Sequence, residues 1–219
     1  APSGDAVQLS LLPINPPTSY LILEDYAKLD EGEWIIQNAA NSNCGRYLIE
    51  LAKLRGLRTI NIVRRPELIG ELESLGGDVV LEDGNDLEER VLEKTSGVRP
   101  KLAIDAVNGM ATERLASCLA DGSTILAYGM LTDEPCMVSA GEVFLRDISL
   151  KGFYTIRQFA KRSSEEVRQI YSELALLLEQ GALTAQIAAT YPLEDVNKAV
   201  VHAGLRGAER NGKVILVMQ

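Results

Sequence analysis

The stretch from Trp34 to Gly45, WIIQNAANSNCG, carries residue types that suit phosphate binding. Trp34, Ile35 and Ile36 predict a short buried strand, small and polar residues follow, and Tyr47, Leu48, Leu51 and Leu54 then recur at helical spacing. A helix opening at such a turn aims unpaired backbone N–H groups and the positive end of its dipole at an anion. The three positions of the dinucleotide fingerprint G-x-G-x-x-G hold Ala40, Ser42 and Gly45, so only the last glycine is kept. On these residues alone the stretch is either a dinucleotide loop or an ordinary strand-to-helix turn.

A second strand pattern, Thr59 to Val63, ends in Arg64-Arg65-Pro66. The residue at this place, about 20 positions past the loop, meets the adenosine ribose, where an acid suits NAD and an arginine suits a 2′-phosphate. No acid occurs until Glu67. Guanidinium groups grip phosphate through paired charged hydrogen bonds, so Arg64 and Arg65 favour NADP(H) over NAD(H). The other reading of the pair is a solvated basic turn.

The elements that must position these residues alternate along the chain. Leu68 to Leu75 is helical and ends at Gly76-Gly77, before a strand over Asp78 to Leu81. Leu87 to Lys94 and Thr112 to Ala120 are helical, Lys101 to Asp105 and Ser123 to Tyr128 are strands. This repetition predicts an α/β fold: a Rossmann-type doubly wound parallel sheet with helices on both faces, its ligand loops gathered at the strands' carboxyl ends. Beyond Tyr128 the rhythm changes. Pro135 to Ser139 and Ile148 to Tyr154 are strand-like, and Ser163-Ser164-Glu165-Glu166 opens a long helix through Leu178 to Gly181. A strand over Gln186 to Tyr191, a helix from Glu194 to Ala203 with Val196, Ala199 and Val200 as its core face, and a strand over Val214 to Val217 complete the chain. His202, the only histidine, reads as a helix cap or surface residue rather than a catalyst. There are no internal repeats and no low-complexity linker.

Composition narrows the function classes. The chain has 219 residues, 46% hydrophobic and 24% charged, enough for one large domain or one domain plus part of another. No apolar stretch reaches membrane-spanning length, and the first residues, APSGDAVQLS, lack the basic and apolar regions of a secretory signal. The net charge of −9, with acids clustered at Glu82-Asp83 and Asp86 to Glu89, opposes nucleic-acid binding. Cys44, Cys118 and Cys136 are far apart and without CxxC spacing, which argues against a zinc site and for a reduced, cytosolic setting.

Five separated segments together carry a resemblance that covers essentially the whole chain: NPPTSY at Asn15–Tyr20, QNAANSNCG, NIVRRP at Asn61–Pro66, Ala127-Tyr128-Gly129-Met130 and Lys151-Gly152-Phe153-Tyr154. They resemble the zinc-free medium-chain dehydrogenase/reductase superfamily, and within it the mitochondrial-type NADPH-dependent trans-2-enoyl-CoA or enoyl-acyl-carrier-protein reductases. The Asn41-Ser42 element discriminates, since related quinone reductases usually carry a glycine-rich loop. Two departures touch the nicotinamide pocket. The family often reads Tyr-Gly-Gly-Met where this chain has Tyr128-Gly129-Met130-Leu131, and a tryptophan commonly stands at Tyr154.

Position by position, the resemblance implies that Asn15 and Thr18 lie near the nicotinamide end, that Asn41, Ser42, Asn43 and Cys44 surround the pyrophosphate, and that Arg64 and Arg65 hold the 2′-phosphate. It further implies that Tyr128, Gly129, Met130 and Leu131 with Phe153, Tyr154 and Thr155 wall the nicotinamide pocket, and that Lys213 approaches from the C-terminal strand. The implied domains are a lead-in segment and first helix over 1–30, an NADP-binding domain over 31–185, and a segment over 186–219 that completes a catalytic domain. In such enzymes the catalytic domain precedes the cofactor domain and supplies the protonating tyrosine, so no catalytic residue and no metal ligand is assigned here, and the chain alone is expected to be inactive. The implied chemistry is hydride transfer from NADPH to an enoyl-CoA or enoyl-acyl-carrier-protein, in a homodimer joined through the sheet edge by Met137, Val138, Ile148 and Leu150. A quinone or activated-alkene reductase and a non-catalytic NADPH-binding module are the alternatives. The expected setting is the cytoplasm of a bacterium, or a mitochondrial matrix in a eukaryote.

Overall fold

A computed structural model describes residues 5–205 and 207–218; residues 1–4 of the lead-in segment and Gln219 of the C-terminal segment lie outside it. Six strands, β1 (Trp34–Gln37), β2 (Arg58–Val63), β3 (Val79–Glu82), β4 (Leu102–Asp105), β5 (Thr124–Ala127) and β6 (Ser149–Gly152), form one sheet in the order β3-β2-β1-β4-β5-β6. Every pair is parallel. The two innermost strands, β1 and β4, are buried along their whole length, as strands covered on both faces must be.

Alternation along each strand sends neighbouring side chains to opposite cores. Ile35, Leu102, Ile104 and Leu126 face one core, shared with α2 (Asn15–Tyr26), α3 (Asn43–Leu54) and α9 (Ser164–Glu179), which follows the four-residue α1 (Ala6–Leu9) and the rest in chain order. Trp34, Ile36, Ile60, Ala103 and Ile125 face the other, filled by α5 (Leu87–Lys94) and α6 (Met110–Cys118). A third cluster lies under α4 (Ile69–Leu75). The doubly wound parallel sheet with helices on both faces is therefore as the pattern predicts. Helix α2 tolerates Pro16 and Pro17 because they occupy its first turn, where backbone N–H groups have no helical partner.

Polar side chains also run through the sheet. Gln37 on β1 stands opposite Asn61 on β2, and its Nε2 donates to Asn61 Oδ1 at 2.8 Å and to the Gly45 carbonyl at 2.9 Å. Asn61 Nδ2 donates onward to Thr59 Oγ1 and to the Val79 carbonyl on β3.

The predicted long helix is α9, opened by a reciprocal cap: Glu166 N donates to Ser163 Oγ at 3.2 Å and Ser163 N to Glu166 Oε2 at 2.7 Å. Between β5 and α9 lie α7 (Ala140–Leu145) and α8 (Thr155–Phe159). Past α9 a separate two-stranded parallel sheet pairs β7 (Ile187–Pro192) with β8 (Lys213–Val217), with α10 (Val196–Gly204) between them.

Three expectations are corrected. Pro135 to Ser139 is not a strand: the Pro135 carbonyl accepts from Gly109 N and Ser139 N donates to Glu113, so its backbone groups are used by loop contacts, and Ser139 caps α7. The core face of α10 is Ala199 alone, since Val196 and Val200 are 38% and 64% exposed. Of the four residues assigned to a sheet-edge contact, Ile148 is 2% exposed inside the second core and Val138 packs against it, leaving Met137 and Leu150 on the surface. His202 is half-buried in the last turn of α10, its Nδ1 3.0 Å from the Tyr191 hydroxyl.

The burial of Ile148 yields a test. Ile148→Lys places an unpaired charge among Ile125, Leu115 and Leu119, and is expected to cost at least about 3 kcal/mol in urea unfolding, whereas Leu150→Lys on the exposed edge stays within about 0.5 kcal/mol of wild type.

Candidate dinucleotide site

The loops after β1, β2, β4, β5 and β6 open at one end of the sheet because all five strands run the same way. Strand order reverses between β1 and β4, which is where open α/β sheets leave a crevice. At that point Asn38 and Asp105 tie the two loops together. Fully buried Asp105 accepts through Oδ1 from Asn38 Nδ2 at 2.6 Å, Val107 N at 2.9 Å and Asn108 N at 3.0 Å, and through Oδ2 from Thr112 Oγ1 at 2.5 Å. Asn38 Oδ1 in turn accepts from Ala106 N at 2.8 Å. Neither residue was singled out from the sequence, although a lone acid closing an apolar buried strand is a readable signal.

Helix α3 starts one turn later. Ser42 is its cap, with Oγ accepting from Gly45 N at 3.1 Å. Gly45 keeps the fingerprint's last glycine for a steric reason: a Cβ there would lie 2.6 Å from the Ala40 carbonyl oxygen. Helix start and loop can touch only while that position has no side chain.

The structure gathers several of the sequence-selected residues. Thr18 Oγ1 and Thr155 Oγ1 are 2.6 Å apart, joining the first turn of α2 to the start of α8. Asn15 is half-buried in that same turn, and its carbonyl accepts from Ser19 Oγ. Ser19 Oγ also donates to the Cys44 carbonyl at 2.8 Å and lies 3.1 Å from the Cys44 sulfur. Cys44 thus turns inward, while Asn41 and Ser42 stay half-exposed on the loop. Asn43 is buried, with Oδ1 accepting from Gln186 N at 3.2 Å and Nδ2 unpartnered among the described residues. Tyr128 and Gly129 are half-buried and Phe153 is buried edge-on against Tyr26, whereas Met130, Leu131 and Tyr154 are exposed. Arg64 is exposed without an ion pair among the described residues, while Arg65 leans on Glu67 at 3.5 Å. Lys213 comes from β8 and lies close enough for its charge to act on Cys44.

Burial pushes the Cys44 thiol up to about 11, against the opposing pull of Ser19, Tyr128 and Lys213. Burial, together with Cys44, raises the Tyr128 hydroxyl well above the ordinary phenol value. Both stay protonated at neutral pH, so neither is a ready nucleophile or base. Cys118 is likewise pushed up to about 12 by burial, while Cys136 is half-exposed. With iodoacetamide at pH 8, mass spectrometry is expected to find Cys136 modified first and Cys44 and Cys118 protected in the folded protein. Gly45→Ala is expected to cost about 1–3 kcal/mol in chemical unfolding, because the methyl meets backbone rather than a movable side chain.

Among the described residues no group of three or more His, Cys, Asp or Glu side chains could hold a metal ion, and no helix is long and apolar enough to cross a membrane. The model of the zinc-binding dehydrogenase family matches residues 44–175. The mitochondrial enoyl-[acyl-carrier-protein] reductase of Dictyostelium discoideum is 36% identical over 184 residues, covering 78% of this chain and 51% of that protein. A structure provisionally assigned as an NADPH:quinone reductase from Bacillus thuringiensis superposes with a TM-score of 0.87 at 25% identity, covering 96% of this chain and 63% of that one. The mitochondrial 2-enoyl thioester reductase of Candida tropicalis, solved as an Etr1p/Etr2p heterodimer, gives a TM-score of 0.78 at 26% identity, covering 88% and 58%. An Etr1p complex with NADP and crotonyl-CoA gives 0.79 at 26% identity, covering 89% and 58%. This chain spans about half the length of the curated relatives it matches. Its parallel sheet, its glycine-packed β1–α3 turn and these matches together place the chain in the zinc-binding dehydrogenase family of the medium-chain dehydrogenase/reductase superfamily.

Proposed function

We propose that this chain is the NADPH-binding part of a reductase that saturates the 2,3 double bond of an enoyl thioester. The observation that carries the cofactor reading is the exposed Arg64, free of an acid partner among the described residues and placed at the end of the strand beside the capped α3 turn. The site fits a dinucleotide in two further respects. Gly45 leaves the loop bare where a Cβ would collide with Ala40, and Asn43 holds a buried amide donor without a partner among the described residues. Arg64 and Arg65 would hold the 2′-phosphate, and Asn41, Ser42 and the opening turn of α3 the pyrophosphate. When bound, NADPH supplies the hydride. The chain's own work is to fix the phosphates, to flank the nicotinamide end with Asn15, Thr18, Tyr128 to Leu131 and Phe153 to Thr155, and to keep water from it.

The thioester reading is supported by the reductase names of the Dictyostelium and Candida relatives. A quinone reductase is the second reading, favoured by the close superposition on the Bacillus structure. On the longest natural form of the protein, NADPH oxidation with crotonyl-CoA is expected to exceed that with a benzoquinone, and the reverse ranking rejects the thioester reading. The mitochondrial names of the relatives support a matrix location in a eukaryote; a bacterial source would put the protein in the cytoplasm.

We further propose a homodimer through the free edge of β6. Leu150 on that edge and Val143, Phe144 and Leu145 on the adjoining α7 are exposed, and unpaired edges invite strand pairing. Arg146 does not guard the edge, because its guanidinium is taken up by Glu142, Asp121 and the Leu119 carbonyl. Phe144 is 82% exposed, so Phe144→Asp is expected to leave the fold intact and convert a dimer to a monomer in sedimentation at micromolar concentration.

Calorimetric titration checks the cofactor. The wild type is expected to bind NADPH more tightly than NADH, and Arg64→Ala with Arg65→Ala to cost NADPH about 1.5–3 kcal/mol per charged hydrogen bond lost while leaving NADH nearly unchanged. Equal affinities for the two cofactors in the wild type overturn the reading.

A further inference from the structure

Residues 184–186, between α9 and β7, form neither helix nor strand, so their backbone N–H groups need partners elsewhere. All three find side chains. Thr184 N donates to both carboxylate oxygens of Glu50 at 3.1 Å, with Thr184 Oγ1 adding a bond of 2.7 Å to Oε1. Ala185 N donates to Gln8 Oε1 at 2.8 Å, and Gln8 Nε2 returns a bond to the Ala185 carbonyl at 3.1 Å. Gln186 N donates to Asn43 Oδ1 at 3.2 Å. Asn43 and Glu50 lie two turns apart on α3, hence on one face of the helix that opens at the phosphate loop.

The crossover passes this anchoring on. The Gln186 carbonyl accepts from Lys213 N at 2.8 Å, and the backbones pack so closely that a Cβ on Gly212, at φ +128, would lie 2.6 Å from that same carbonyl oxygen. Lys213 is thereby set on the start of β8, and through Gln186 its backbone is linked by two hydrogen bonds to Asn43, the first residue of α3. A chain of hydrogen bonds thus runs from one face of α3, Asn43 in its opening turn included, through residues 184–186 to Lys213.

We propose that Glu50, Gln8 and Asn43 are positioning residues that hold residues 184–186 so that Lys213 presents its ammonium to the α3 N-terminus, making phosphate affinity depend on contacts two helical turns from the phosphates. The inference rests on the proposed reading of that N-terminus as a dinucleotide site. It gives Asn43 a second task beside the phosphate loop: its acceptor is spent on Gln186, while its amide donor stays unpartnered among the described residues.

A double-mutant cycle on this chain, read by NADPH titration, is the test. Lys213→Ala is expected to weaken NADPH binding about tenfold, and Glu50→Gln and Gln8→Ala each about three- to fivefold, while either combined with Lys213→Ala binds no more weakly than Lys213→Ala alone. Gln8 lies on the short α1, so its variant keeps the test available should Glu50→Gln fail to fold. Additive losses, or variants that bind as wild type does, overturn the proposal. Hydrogen exchange without cofactor is the second arm: amide protection at 184–186 and at Lys213 is expected to fall together in both variants, with the β1 and β4 amides unchanged. Retained protection at Lys213 while 184–186 opens also overturns it. A wild type that binds no NADPH refutes the cofactor reading, and the exchange arm still decides whether the clamp positions Lys213.

Discussion

The buried carboxylate of Asp105 is the constraint on which the ligand end of this fold depends. A carboxyl group at zero exposure is tolerated only when its oxygens are hydrogen-bonded, and four donors from two loops and one helix converge on it. Asn38 sits between, bound to Asp105 on one side and to the Ala106 backbone on the other. Once this network forms, the turns after β1 and β4 have few conformations left, and the crevice between them is fixed. The capped start of α3 and the close contact of Gly45 with Ala40 follow from that fixed turn.

The sheet and its helices were legible because burial imposes a visible pattern. Apolar runs such as Ile35-Ile36 and Leu102-Ala103-Ile104, short and set between polar turns, suit strands covered on both faces, and the Ser163–Glu166 pair announces its helix. Pro135 to Ser139 fits a strand by its apolar run Cys136-Met137-Val138, whereas Ser139 and Glu142 carry the helix-start chemistry that decides the local structure. The α10 valines were misjudged for a different reason. Periodicity reveals which residues share a helix face but not whether anything covers that face, and Val196, Val200 and Val201 lie in the open.

The candidate site was legible in part. Ser42, Gly45, Arg64 and Arg65 lie in sequence motifs whose spacing carries their meaning, and the structure gives Ser42 and Gly45 definite local work. Asn38 and Asp105 are separated by 67 positions, and the clamp on residues 184–186 joins Gln8, Asn43 and Glu50 to a segment more than a hundred residues away. Such pairings exist only through the crossover topology, which places β4 beside β1 and returns the chain past α9. No local pattern encodes them.

The Gln37–Asn61 bond has a consequence for assembly of the sheet. Parallel strands rich in isoleucine and valine offer nearly equivalent apolar contacts in several alignments, so hydrophobicity alone selects a register weakly. A one-residue slip of β2 against β1 would turn Asn61 to the opposite face and leave Gln37 buried without its acceptor, a penalty of about 1–3 kcal/mol for each stranded polar group. The pair thus works as a key between two otherwise interchangeable edges. It admits a single alignment, and because Gln37 also bonds the Gly45 carbonyl, that alignment sets the height at which α3 begins.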